Sequence, residues 1–130
     1  MNDFSPFSEE DISFQKAIEL FNNQEWYVAH DLLEAIWHKT DGKERITIQA
    51  ILQIAVAQVH LSNANYIGAT ILYGEGLGRL INQKVPDLGL DLKEFINILK
   101  ERLLILQGGG DLVGTFPPVL KRKSINSSTS

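Results

Sequence analysis

The stretch Arg45-Ile-Thr-Ile-Gln49-Ala-Ile-Leu-Gln53-Ile-Ala-Val-Ala-Gln-Val-His60-Leu61 decides the fold. It is apolar almost all the way round, which marks a helix at the centre of a domain. Gln49, Gln53 and His60 interrupt it. At 100° per residue these three fall within about 40° of one another, a single polar line along an apolar rod. A buried polar group without a partner costs roughly 1–3 kcal/mol, so a neighbouring element must face that line.

Helical spacing continues on both sides of this rod, and no segment alternates with period two for long enough to argue for a sheet. A first helix is expected from Ser8 to about Phe21, with Ser8 as N-cap and Ile12, Ala17, Ile18 and Phe21 inward. A second runs from about Gln24 to Lys39, before the turn signal Asp41-Gly42. The rod itself spans about Lys43 to Ser62. Asn65 caps a fourth helix from Tyr66 to about Asn82, and Asp91 caps a fifth from about Leu92 to Gln107. Gly108-Gly109-Gly110 closes the fifth, and Phe116-Pro117-Pro118 reads as an extended piece returning over the bundle. The expected fold is all-α: one compact antiparallel bundle of about five helices over residues 1–120. Residues 121–130, basic and then Ser-rich, read as a disordered tail.

The chain has 130 residues, a length that suits one domain with its own core. Its net charge of −4 argues against a nucleic-acid partner, and the lack of cysteine excludes disulfides and thiolate metal sites. The N-terminus has no basic and apolar regions of a secretory signal. The apolar run from Ile46 to Leu61 is too short and too polar for a bilayer. These features point to a cytoplasmic protein without a membrane partner.

In the second helix, His30 and Glu34 fall on the shoulder of the core face, one turn apart, while Asp31 lies further round. His30 and Glu34 are therefore candidates to meet the Gln49–Gln53–His60 line. Arg45 could pair with Glu34 or clamp a carboxylate or phosphate, with Trp26 and Trp37 as walls. Three readings of this cluster compete. One is a small-molecule pocket built from His30, Glu34, Trp37, Arg45, Gln49, Gln53 and His60. Another is a metal site in which His30, Glu34 and His60 hold a divalent ion such as zinc or iron, with metal-dependent hydrolysis as its chemistry. The third is a hydrogen-bond network that fixes helix register in a protein-interaction module. One apolar helix face is also a candidate for pairing two copies of the chain. Gly74-Glu-Gly76-Leu-Gly78 lacks the preceding strand and the Gly-Lys-Ser/Thr ending of a phosphate loop. Close helix approach, at these glycines and at Gly68-Ala69, is the expected reason for them.

Ala29-His30-Asp31-Leu32-Leu33-Glu34-x-x-Trp37, then Arg45, Gln49-x-x-x-Gln53-x-Ala55, His60, Asn65, Gly68-Ala69 and Leu72 together resemble the DUF309 family. These are small all-helical bacterial and archaeal proteins without an assigned activity. The resemblance spans about Phe21 to Leu80 and implies the helical fold and the recurrence of the same polar residues. The sequence departs from the family pattern at Asp31, where relatives carry Glu, and at Ala50, where they carry Gly. Asn63-Ala64-Asn65 also stands in place of a tighter Gly-Asn turn.

Overall fold

Successive helices pack on one another in the order α1 (Glu9–Asn22), α2 (Trp26–Lys39), α3 (Gly42–Ser62), α4 (Tyr66–Asn82) and α5 (Leu92–Gln107). The computed structural model describes residues 9–82 and 84–124. The expected cap at Ser8 lies outside them. Among the described residues the fold is an all-helical bundle, and none of its helices is long and apolar enough to cross a membrane.

The central rod is the core. Ile48, Ala50, Ile51, Ile54, Ala55 and Ala57 of α3 are buried between α2 and α4. Phe21, Leu33, Tyr73, Phe95 and Leu99 complete the interior from the other helices. One residue placed inward on α1 from sequence is outside: Ile12 is 57% exposed. Phe14, Ala17, Ile18 and Phe21 share the buried face, and Ile12 lies about 160° from Phe14 around the helix.

Local chemistry explains where the helices stop and start. Asn65 accepts the Gly68 N–H and Asp91 accepts the Glu94 N–H, as N-caps do. At the end of α5, Gly109 N–H donates to Leu106 and Gly110 N–H to Ile105, with Gly109 at φ +73°. That is a Schellman closure around a left-handed glycine. The same closure ends α1 at Gln24 (φ 63°) and α3 at Ala64 (φ 58°), where a side chain occupies the left-handed position.

Beyond α5 the chain returns along the bundle. Pro118 and Leu120 are buried, while Phe116 is 80% exposed, so the proline and leucine rather than the phenylalanine anchor this piece. The Asn22 side chain donates to the Leu120 carbonyl and accepts the Leu120 N–H, both at 2.8 Å. The basic residues read as the start of a tail are instead held. Asp91 N–H donates to the Lys121 carbonyl and Lys123 N–H to that of Gly89, flanking a single antiparallel bridge between Leu90 and Arg122. Lys121 pairs with Glu94, and Lys123 with Asp87 at 2.8 Å. The hydrogen bond from Lys123 holds the Asp87 carboxyl below its usual range. Residues 125–130 lie outside the described residues.

The glycines of α4 divide by function. A Cβ on Gly76 would lie 3.0 Å from Ile54 Cδ1 and 3.1 Å from the Ala50 carbonyl, so this glycine permits the α3–α4 contact. Gly74 has open space instead, and Gly68 makes room for its own cap, Asn65. Gly74→Ala is therefore expected to raise stability by about 1 kcal/mol through helix propensity. Gly76→Ala, which pushes on a buried backbone oxygen, is expected to give no gain or a loss; urea denaturation of the two variants measures the difference.

Candidate functional site

Two members of the polar line on α3, Gln53 and His60, are met by groups outside α2. Gln53 donates to Glu75 at 2.9 Å and accepts from Arg79 Nε at 3.0 Å, so it faces α4. His60 Nδ1 accepts from the Asn65 side chain at 3.1 Å, which ties it to the turn at its own helix end. Gln49 is half-buried on the same side of the rod. On α2, the half-buried His30 donates to its neighbour Asp31 at 3.2 Å, and Glu34 is exposed. Arg45 reaches back to α2: its guanidinium lies 3.8 Å over the Trp37 ring and its Nε donates to the Trp37 carbonyl at 3.2 Å. The Trp37 indole N–H is buried without an acceptor among the described residues. The seven residues singled out from sequence thus divide into an α3–α4 network, an Arg–Trp stack and separate polar groups. No three His, Asp or Glu side chains gather to hold a metal ion among the described residues, so His30, Glu34 and His60 do not form the metal set considered from sequence.

A different cluster is buried. Arg102 of α5 is 5% exposed. Its Nε donates to Tyr73 Oη at 2.7 Å, and its Nη1 to Thr115 Oγ1 at 3.0 Å and the Phe116 carbonyl at 2.8 Å. Its Nη2 donates to Gln58 Oε1 at 3.3 Å, and the same oxygen receives the Tyr73 hydroxyl. A guanidinium has five N–H groups, so one hydrogen on Nη2 remains. Every acceptor here is neutral, and no carboxylate forms an ion pair with Arg102 among the described residues. Burying an ion costs several kcal/mol even after relaxation, and hydrogen bonds to dipoles offset only part of it.

Arg102 and Gln58 form the inner wall of a cleft of about 730 Å³, a volume that suits a small organic ligand. Trp26 and Tyr66 flank it, Leu61, Leu106 and Leu112 line its sides, and Asp111 lies at its exposed rim. A second groove, larger at about 1120 Å³, runs beside Ile36, Glu44, Ile48 and Leu88. None of its charged side chains is buried.

The buried arginine had a legible signal. Phe95, Leu99, Arg102 and Leu106 recur at the spacing of a core-facing stripe, so Arg102 occupies a position meant for an apolar side chain. Gln58 likewise falls in line with Ile51, Ile54 and Ala55 rather than with Gln49 and Gln53.

Residues 14–72 match the model of a domain of unknown function, DUF309. Over those residues the chain is similar to that family. The match covers α1 from Phe14, α2, α3 and the start of α4, and so includes Gln58 but not Tyr73 or Arg102. No significant match appears among curated proteins or solved structures.

Burial pushes the Tyr73 phenol up to about 12, against the opposing pull of the Arg102 charge. The unfolded chain releases this proton near 10, so it holds fewer protons than the folded chain between those values. Folding stability is expected to fall as pH rises from about 10 to about 12, and Tyr73→Phe should remove that component. The check is the difference in urea midpoint between wild type and variant across that range.

Proposed function

We propose that this chain binds a small organic anion in the cleft at the end of α5, with Arg102 meeting the anionic group. The observation that carries this reading is a buried guanidinium, in no ion pair among the described residues, in the wall of a ligand-sized cleft. A carboxylate or phosphate at that point accepts a charge-assisted hydrogen bond from Nη2 and supplies the missing charge. Trp26 and Tyr66 offer flat walls to an apolar body, and Leu61 and Leu106 exclude water around it. In this reading Gln53 with Glu75 and Arg79, His60 with Asn65, and Arg45 on Trp37 fix helix register and leave ligand contact to Arg102 and Gln58.

Titration with hexanoate, phenyl phosphate and the uncharged hexanol tests it, followed by NMR of the Arg102 side-chain Nε–H. A saturable shift for at least one anion and none for hexanol is the expected result. Equal binding of hexanol, or no saturable shift with either anion, would overturn the reading without any variant having to fold.

The exposed side of α4 favours a second role. Ile67 is 78% exposed and Ile71 56%, and the open face of Gly74 continues the same stripe. Two such stripes laid antiparallel would set each isoleucine against the small residues of the other copy. A homodimer formed this way should dissociate on Ile67→Lys or Ile71→Lys, with unchanged helix content, by sedimentation velocity. A monomer in the wild type at high micromolar concentration excludes it.

A further inference from the structure

The cleft carries two charged side chains, and they stand apart. Arg102 is at its buried wall, and Asp111 is at its exposed rim. Arg102 precedes the last residue of α5 by five positions, and Asp111 follows the Gly108–Gly110 turn. At 1.5 Å per helical residue the end of α5 lies roughly 8 Å along the helix axis from Arg102, and Asp111 lies beyond it. The Asp111 carboxylate is also fixed in place, because its Oδ1 accepts the Val113 N–H at 2.8 Å. Its Oδ2 has no hydrogen-bond partner among the described residues. A simple anion entering this cleft would be drawn by Arg102 and repelled at the rim. A ligand with a charge of each sign meets attraction at both ends.

We infer that the cleft selects a linear zwitterion, with an anionic head at Arg102, an ammonium group at Asp111 and a short apolar spacer along Leu61, Leu106 and Leu112. This rests on the assignment of Arg102 as the anion-binding group. The rim pair is solvent-exposed, so its contribution is modest and appears as selectivity between ligands.

The experiment is calorimetric titration of the full chain with 6-aminohexanoate, hexanoate and hexylamine, repeated on Asp111→Asn. Asparagine keeps the oxygen that receives the Val113 N–H and removes only the charge. The wild type is expected to bind 6-aminohexanoate about three- to fivefold more tightly than hexanoate. Asp111→Asn is expected to abolish that ratio while leaving hexanoate binding as strong or stronger. Equal or tighter binding of hexanoate by the wild type would overturn the zwitterion inference and leave the anion site standing, as would a ratio that survives Asp111→Asn. Failure of hexanoate and 6-aminohexanoate to bind, together with no saturable shift for phenyl phosphate in the NMR titration, would remove the anion site itself.

Discussion

The guanidinium of Arg102 is the point at which separate parts of this molecule meet. Through it α3 contributes Gln58, α4 contributes Tyr73, and the returning segment contributes Thr115 and the Phe116 carbonyl. The arrangement is cooperative: the Tyr73 hydroxyl receives one N–H and gives its own proton to the oxygen that Arg102 also contacts. Deleting the arginine alone would leave the Tyr73 hydroxyl and Gln58 bonded only to each other and would take its donor from the Phe116 carbonyl, each loss with a desolvation cost. An apolar core at this position would need several coordinated substitutions. Among the described residues no carboxylate forms an ion pair with this charge, which is unusual for a group so well buried and is what directs attention to the cleft it lines.

Much of the architecture could be read from the chain itself. The limits of α2 to α5 follow from Asp41-Gly42, Asn65, Asp91 and Gly108–Gly110, because caps and turns are local and depend on a few adjacent residues. The polar row Gln49–Gln53–His60 was legible as a row, since angular position on a helix is fixed by spacing. Its partners were not. Gln53 lies 22 residues from Glu75 and 26 from Arg79, and only the packing of α4 on α3 selects them over His30 and Glu34. The Arg102 cluster was harder still, because Gln58 lies 44 residues from it. An arginine inside an otherwise apolar stripe was the available sign, and charged residues in helices are read as surface by default.

The helix ends show a related tension. Gln24 and Ala64 adopt left-handed conformations that glycine takes without strain, and an L-side chain there costs roughly 1–2 kcal/mol. The surrounding closures hold them: Glu25 N–H bonds to Leu20 and Asn65 N–H to His60, returning the chain sharply into the next helix. Ala64 is also where the sequence departs from the Gly-Asn turn of the family it resembles. The left-handed backbone there explains why glycine suits that position.

The two hydrogen bonds between the Asn22 side chain and the backbone of Leu120 join the end of the first helix to a segment nearly a hundred residues further on. Leu120 and Pro118 are buried. During synthesis the five helices leave the ribosome before this segment does, and at roughly 5–20 residues per second the earlier helices wait several seconds for it. Until then the nascent bundle presents the apolar surface that Pro118 and Leu120 later cover, which makes this interval the natural window for a chaperone.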